Sequence, residues 1–254
     1  MIYGMFAAKT CLLTSIVDQL HERTRKVNAV KRLERHLCEG IPEEARDEYH
    51  KIIQEWVRSI ESKAFKGCAS LVKVRLPEGL EEIDRAAFQG CVRLKEINLP
   101  KGLTYIGDCA FDGCSELRDI RLPEGLTALR AYAFRGCEKL EALELPASMG
   151  PIISGLEANA FPVQLRTIRV AEGSPYYTVV DGVLYSKDGT KLFYRPAGLD
   201  GEFFRVPEGI TDIEWHALTG NTLREVEQPE GLERIAGDAF ENCSQLVSMN
   251  SCRA

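Results

Sequence analysis

The five residues AFQGC, at positions 87–91, recur almost unchanged at a fixed distance along the chain. The copies are AFKGC at 64–68, AFDGC at 110–114 and AFRGC at 133–137, so their phenylalanines are 23 residues apart. Aligned on that phenylalanine, the repeated unit reads I-x-x-x-A-F-x-G-C-x-x-L-x-x-I-x-L-P-x-G-L. A period of this length is typical of repeat architectures, in which each unit stacks on the next.

Each unit contains a segment L-x-x-I-x-L, whose alternation of apolar and polar residues predicts a short strand with one apolar face. Proline then ends the strand, and glycine two residues later permits a turn. The unit is too small to bury its apolar residues alone, so successive units are expected to share one core. About eight strand rungs are recognisable. They lie in 71–76, 94–99, 117–122, 140–145, 165–170, 203–206, 223–232 and 239–249.

The pattern A-F-x-G-C-x-x-L-x-x-I-x-L-P-x-G-L resembles the BspA-like class of leucine-rich repeats over residues 60–250. The predicted fold is an α/β, β-rich leucine-rich-repeat solenoid over residues 63–254, with a parallel sheet on one face. Known members of this class are mostly bacterial surface or secreted proteins that bind host proteins, matrix proteins or other cells. The resemblance therefore implies a non-catalytic, adhesin-like protein-binding module with an unidentified protein partner.

Five cysteines occupy one position of the unit, and stacking places them in a line inside the solenoid at intervals of about 4.8 Å. Zinc needs four ligands around one point, which a line does not provide. Disulfides between neighbouring coils are within reach, although parallel side-chain directions disfavour them. Free cysteine is a small apolar residue that is often buried, so we expect a buried column. Its members are Cys68, Cys91, Cys114, Cys137 and Cys243.

The sequence contains no G-x-S-x-G, no Walker loop and no G-x-G-x-x-G, which are signatures of nucleophile and nucleotide sites. No catalytic residue, metal ligand or cofactor is therefore predicted. His36, Cys38 and His50 come nearest to a ligand set, and surface positions on a helix are the simpler interpretation. An enzyme or metal protein with an unrecognised site is kept as an alternative.

The net charge of −6 is carried by residues 63–254, which hold 22 Lys and Arg against 28 Asp and Glu. An acidic body argues against nucleic acid or an anionic membrane as partner. No run of 18 apolar residues occurs, so no membrane span is predicted. The opening residues make a poor secretory signal and the nine cysteines are odd in number, which favours a cytoplasmic location. A secreted or cell-surface location, implied by the resemblance, is the alternative.

Residues 1–62 have helical rather than repeat periodicity. Pro42 is followed by two glutamates, a combination that suits the start of a helix. An apolar stripe then extends from Ala45 to Ile60, which is also the first aligned isoleucine of the repeat. We expect this segment to form a helical cap over the exposed end of the solenoid.

The repeat pattern breaks between residues 147 and 206, where a binding function could be grafted onto the scaffold. Within 173–198, Asp181-Gly182 and Asp188-Gly189 are turn signals that predict an inserted three-stranded β-meander. This segment is rich in aromatic residues, which are favoured interface anchors when exposed. The alternative is that the rings pack the meander onto its neighbours. The tyrosines considered are Tyr176, Tyr177, Tyr185 and Tyr194.

The outward side of the predicted sheet is a second candidate for partner binding. Its charges are mixed, and opposite charges on adjacent rungs, such as Lys73 and Glu96, can neutralise each other. The face has no field of a single sign, so it suits either a protein partner or a plain solvated surface. Its candidate arginines are Arg75, Arg121, Arg169 and Arg205.

The final residues, LVSMNSCRA at 246–254, depart from the repeat at Ser251 and Cys252 and supply no evident cap. An exposed last rung invites pairing between strand edges. A homodimer through this rung, a self-assembling repeat or a truncated gene is therefore an open alternative to a monomeric binding module.

Overall fold

The computed structural model describes residues 58–151 and 160–251 of the chain. Within these ranges the chain consists of short strands joined by turns, with no α-helix. The strands are β1 (Ser59–Ile60), β2 (Lys73–Arg75), β3 (Glu82–Ile83), β4 (Glu96–Asn98), β5 (Tyr105–Ile106), β6 (Ala128–Leu129), β7 (Ala142–Leu145), β8 (Thr167–Val170), β9 (Tyr177–Val180), β10 (Val183–Ser186), β11 (Lys191–Tyr194), β12 (Phe203–Arg205), β13 (Asp212–Ile213), β14 (Glu225–Gln228), β15 (Arg234–Ile235) and β16 (Ser248–Ser251).

A regular coil carries two strands, one from each apolar segment of the repeat. Equivalent strands of successive coils pair in parallel, and the register advances by one repeat at each step. Ile60 is aligned with Ile83 between β1 and β3, and Lys73 with Glu96 between β2 and β4. We call the outward side of the L-x-x-I-x-L strands the sheet face; these strands are β2, β4, β7, β8, β12, β14 and β16.

The sheet face is less continuous than predicted. Its strands form three separate groups, β2–β4, β7–β8 and β12–β14–β16, and the predicted strand at 117–122 does not form. In the second coil Lys95 N donates to Val72 O at 2.9 Å, but the equivalent bond from Arg118 N does not occur among the described residues. The side chain of Ile120 is nevertheless only 7% exposed. The third coil therefore keeps its place in the core while its backbone separates from the neighbouring strands.

The core is built on a phenylalanine column formed by Phe65, Phe88, Phe111 and Phe134. Successive ring centroids are 4.9, 5.4 and 5.5 Å apart, and the ring planes lie within 5° of parallel. Each turn is joined to the next by a backbone bond such as Phe88 N to Ala110 O, at 2.8 Å. Burying one such side chain stabilises the fold by about 1.5–3 kcal/mol. The repeat thus provides the same packing and bonding in every regular coil.

The glycine of the motif is required by the backbone. Gly136 has a φ of +68°, in the left-handed region that a side chain disfavours. A Cβ atom at this position would also lie 3.2 Å from the Cα of Gly113 in the preceding coil. In the last described coil Asn242 occupies the equivalent position with a φ of 58°, and asparagine tolerates this conformation better than most residues. The glycine therefore serves the turn and needs no ligand to explain it.

The irregular segment forms an antiparallel meander of β9, β10 and β11. Strand β11 then pairs in parallel with β13, and β13 pairs with β15. The meander therefore extends the sheet of G-L-x-x-I strands, with β11 in the position of a regular repeat strand. It is part of the solenoid wall.

At both ends of the described solenoid, strands extend further than the sequence predicted. The helical cap lies outside the described residues except at its end, where Ser59 and Ile60 form strand β1 in place of the expected helix. The reason is that Ile60 sits in repeat register with Ile83 and is 2% exposed, as a core residue of the first coil. At the other end, the change of pattern at Ser251 does not stop β16, which pairs with β14 through that residue.

Candidate partner-binding face

For three of the four meander tyrosines, burial agrees with the alternative interpretation, in which the rings pack the meander onto its neighbours. Tyr177, Tyr185 and Tyr194 are only 1%, 5% and 4% exposed, so they pack the meander into the core. The Tyr177 hydroxyl donates to Gly150 O at 2.6 Å, and Tyr194 donates to Pro162 O at 2.8 Å. Burial raises the pKa of Tyr194 and keeps its hydroxyl protonated. Among the four predicted anchors, Tyr176 is exposed, at 43%.

A signal for this burial was present in the sequence. The segments VLYS at 183–186 and KLFY at 191–194 are almost continuously apolar, a pattern typical of strands that are covered on both faces. All four residues of β10 are buried, as are three of the four in β11. The ring of Tyr194 lies 5.0 Å from that of Phe161 at an angle of 44°, so the meander adds an aromatic contact to the core.

A buried cation near the meander was not predicted. Arg195 is 4% exposed, and its guanidinium donates to Asn221 Oδ1 and to the carbonyl oxygens of Leu199 and Asp200 at 3.4 and 3.3 Å. It also lies 5.4 Å from the centre of the Phe204 ring. Burial lowers the pKa of Arg195. These contacts fasten the chain that leaves β11, so Arg195 has a structural position rather than a partner-binding one.

The cysteine column is buried as predicted in the regular coils, and it also has a polar contact that was not foreseen. Cys91, Cys114 and Cys137 are fully buried, and each thiol lies 3.2–3.3 Å from the phenylalanine carbonyl of the preceding coil. Burial raises the pKa of Cys137 to about 12, so this thiol is neutral at physiological pH. Cys68 is exposed and Cys243 is partly buried, because these residues lie in the first and last described coils.

Asn221 explains what this position requires. It occupies the cysteine place of its own coil, and its Nδ2 donates to Arg195 O at 3.2 Å. Cysteine and asparagine thus share the ability to donate a hydrogen bond to the preceding coil. Among the described residues, no group of three or more His, Cys, Asp or Glu is arranged to hold a metal ion. His36, Cys38 and His50 lie outside those residues.

The arginines of the sheet face are exposed, as the strand alternation predicted. Arg205 Nε lies 2.6 Å from Glu227 Oε2, and Lys73 forms an ion pair with Glu96, which confirms the predicted pairing between adjacent rungs. Three other arginines of this face have no such partner in the part of the chain that the structure describes. They are Arg75, Arg121 and Arg169.

A depression of about 690 Å³ lies in the sheet face, where the third coil separates from its neighbours. It is bordered by four basic residues, Lys73, Arg75, Lys95 and Arg121. Its acidic residues are Glu78, Glu96 and Asp119. Since Lys73 and Glu96 neutralise each other, the charges left available include two of the three unpaired arginines. The depression therefore combines concave shape with exposed guanidinium groups, which are the side chains most suited to bidentate recognition of carboxylates.

The parallel coils, the phenylalanine column and the donor position after the turn define a leucine-rich-repeat solenoid. Residues 49–162 and 190–252 match the BspA type leucine rich repeat region, in 6 copies, and the chain belongs to this family. No curated protein matches the chain significantly in sequence.

Three solved structures are similar to this chain. The pneumococcal vaccine antigen PcpA has 31% identity and a TM-score of 0.68, over 77% of this chain and 49% of that one. A leucine rich cell surface protein from Faecalibacterium prausnitzii has 27% identity and a TM-score of 0.58, over 77% and 58%. A leucine-rich repeat protein from Eubacterium ventriosum has 21% identity and a TM-score of 0.64, over 76% and 57%, which bears on the fold alone. The chain thus spans about half to three fifths of the length of these relatives.

Two of these relatives have descriptions that refer to the cell surface or to immunity: one is a cell surface protein and another is a vaccine antigen. Within residues 58–151 and 160–251, no helix has the length and hydropathy needed to cross a membrane.

Proposed function

We propose that this protein is a non-catalytic protein-binding module that recognises its partner through the sheet face. The observation that carries the proposal is a set of three exposed arginines that have no ion-pair partner in the described part of the chain, two of them at the border of a depression. Arginine is enriched at protein interfaces and frequent among the residues that dominate binding energy. Exposed charges contribute little to folding stability, so the fold gives no reason for this arrangement.

The difference between positions that repeat from coil to coil and positions that vary also supports the sheet face as the binding surface. Core positions of the regular coils hold the same residue in successive coils, as Phe88, Phe111 and Phe134 do. Outward positions of the sheet face change from coil to coil, from Arg75 to Asn98. The stack requires the first set and leaves the second free to recognise a partner.

We also infer that the module acts outside the cell, in an adhesin-like role. The descriptions of two relatives, a cell surface protein and a vaccine antigen, support this location. Brief protease treatment of intact source cells tests it. Loss of the protein from intact cells, with a cytoplasmic marker preserved, supports surface exposure. Survival of the protein until the cells are lysed contradicts it.

The binding function is tested with two charge-reversal variants of the immobilised protein. R75E/R121E alters the border of the depression, whereas R93E/K101E changes the net charge equally at exposed residues outside it. Partners are captured from cell-surface and matrix extracts and identified by mass spectrometry. The proposal expects a protein that is retained by the wild type and by R93E/K101E but lost from R75E/R121E. Equal retention by all three proteins contradicts it.

Self-association is a second candidate function, favoured by the last described coil. Ile235 is 44% exposed there, whereas its counterpart Ile213 is fully buried. Phe240 N donates to no carbonyl among the described residues, although Phe88 N in the equivalent place donates to Ala110 O at 2.8 Å. An apolar edge with unused donors is suited to pairing with a second copy.

Light scattering over a range of protein concentrations tests this homodimer. A wild-type dimer that Ile235→Glu converts into a folded monomer supports the second candidate. A wild-type protein that stays monomeric at the highest concentration contradicts it, and leaves the binding module as the single proposed function.

A further inference from the structure

The unpaired arginines of the sheet face are regularly spaced. Arg75 is aligned with Asn98 on the next coil, and Glu144 is aligned with Arg169 between β7 and β8. Arg121 occupies the same outward position in the coil between them, so arginines lie on alternate coils. The ring spacings of the phenylalanine column show that the first four of these coils are 4.9–5.5 Å apart along the solenoid axis, and the coil of Arg169 is joined to the fourth by the pairing of β7 with β8. Successive arginines are therefore separated by about 10 Å, or two inter-strand spacings.

This spacing selects a conformation for a peptide that lies along the solenoid axis. In a β-strand, side chains on one face repeat at about 6.8 Å, which is too short for two coils. In a polyproline II helix every third side chain is on the same face, and the repeat is about 9.3 Å. Carboxylates at every third residue of such a peptide would therefore meet Arg75, Arg121 and Arg169 in turn.

The gap in the sheet provides a second means of holding a peptide. The chain at 118–121 is not paired with β4 or β7, although it borders the depression at Asp119 and Arg121. No backbone hydrogen bond to its N–H or C=O groups occurs within residues 58–151 and 160–251, so these groups can bond to a ligand. A polyproline II peptide has no internal hydrogen bonds, so its own carbonyl groups are free to accept them.

Because of the other charges on this face, the spacing of a ligand's carboxylates should affect its affinity more than its total negative charge does. Glu144 lies between Arg121 and Arg169, and Glu78 and Asp119 border the depression. These carboxylates repel an acidic group placed opposite them. Asn98, between Arg75 and Arg121, is neutral. A ligand with carboxylates only at the arginine positions avoids this repulsion, whereas a continuous polyanion does not.

We propose that the sheet face binds an extended, polyproline II-like protein segment with an acidic residue at every third position. This inference rests on the binding function proposed above and specifies the chemistry of the partner. The arginines supply charge-assisted bonds to the carboxylates, and the unpaired backbone at 118–121 supplies bonds to the peptide main chain.

Synthetic peptides test the inference by fluorescence anisotropy with the full chain. One peptide contains Glu-Pro-Pro three times, and its control has the same composition with the three glutamates adjacent. The expected result is at least tenfold tighter binding of the spaced peptide, because only that peptide can place a carboxylate opposite each of the three arginines. The preference is expected to disappear in R75E/R121E and to persist in R93E/K101E.

Three outcomes would overturn the inference. Equal affinity for the spaced and clustered peptides would mean that the protein recognises only the net charge of the peptide. Heparin that binds more tightly than the spaced peptide indicates a sulfated polysaccharide as ligand. Absence of peptide binding, in a protein whose captured partner is still lost from R75E/R121E, rejects the acidic repeat while the proposed function stands. If no peptide binds and R75E/R121E also retains the captured partner, the proposed function is rejected as well.

Discussion

The regular coils, residues 58–145, and the irregular segment at 160–206 build the same core in different ways. In the regular coils each buried ring rests on an identical ring, as Phe88 and Phe111 do at 5.4 Å. In the irregular segment Tyr194 packs against Phe161 at an angle of 44°, and the buried cation Arg195 fastens the chain that follows it. Breaks in the repeat are therefore places where the core is rebuilt with other side chains.

The comparison places the candidate binding residues on the sheet face and not in the aromatic meander. The irregular segment is rich in aromatic residues, but Tyr177, Tyr185 and Tyr194 are buried. Of the three exposed arginines of the sheet face that have no ion-pair partner among the described residues, Arg75 and Arg121 lie on the regular coils and border the depression, and Arg169 follows in β8. In the regular coils the repeated core residues stabilise the fold, so the outward residues are not needed for stability and can serve to bind a partner.

The largest effect is expected in the phenylalanine column. Replacing Phe111 by alanine removes a fully buried ring from between two others, so the free energy of unfolding should fall by about 3–5 kcal/mol. Phe111→Leu is the matched control and should lose less than half as much, since Leu218 holds the equivalent position of another coil. Urea unfolding measures both. Similar losses in the two variants would contradict this expectation and would show that the stacked ring itself, and not apolar volume that leucine can supply, is required at this position.

The next effect concerns the buried cation of the irregular segment. Arg195→Ala leaves the carbonyl oxygens of Leu199 and Asp200 without their donor, and should lower the free energy of unfolding by about 3 kcal/mol. Arg169→Ala, at an exposed residue, should change it by less than about 0.5 kcal/mol. Thermal and urea unfolding of the two variants provide the comparison. If both changes are equally mild, Arg195 does not fasten the segment.

A pH-dependent effect is expected in the regular coils. Asp112 is largely buried, yet hydrogen bonds from Arg135 and Gln89 at 2.8 Å hold the pKa of its carboxyl below the ordinary 3.8. Because the pKa of the folded state is lowered, this stabilisation is present above pH 3.8 and is lost as the pH falls through the folded pKa. The free energy of unfolding should therefore decrease below pH 4.

Asp112→Asn isolates that contribution. At pH 7 the variant should be less stable by about 1–2 kcal/mol, because it loses charge-assisted bonds to Arg135. Between pH 5 and pH 3 its unfolding free energy should fall less steeply than that of the wild type. Identical slopes in the two proteins would show that Asp112 does not couple neighbouring coils electrostatically.

The smallest of these effects separates the buried tyrosines from the exposed one. Tyr194→Phe removes a hydroxyl that donates to Pro162 O, and should cost about 1 kcal/mol of unfolding free energy. Tyr176→Phe changes an exposed ring and should cost nothing measurable. Denaturant titrations of both variants give the difference. A larger loss at Tyr176 would reverse the assignment of core and surface in the meander.

The sequence was sufficient to predict the core of the regular coils, because each coil repeats the residues of the preceding coil and places them in the same surroundings. It could not distinguish the strand at 94–99 from the unpaired segment at 117–122, since both have the same pattern of apolar residues. In the sequence Arg195 resembles a surface cation, whereas in the structure its guanidinium is enclosed by Asn221, the carbonyl groups of residues 199–200 and the ring of Phe204, which are brought together only by the fold. The candidate arginines followed from strand alternation, whereas the depression beside them depends on the gap in the sheet.

Hydrogen–deuterium exchange of the protein with and without its captured partner distinguishes the two regions. Binding to the sheet face should give new protection of the backbone at 73–76, 96–99 and 117–122, and leave exchange in the meander at 173–198 unchanged. Protection confined to the meander, with the sheet face unchanged, would show that the regular coils do not carry the binding surface.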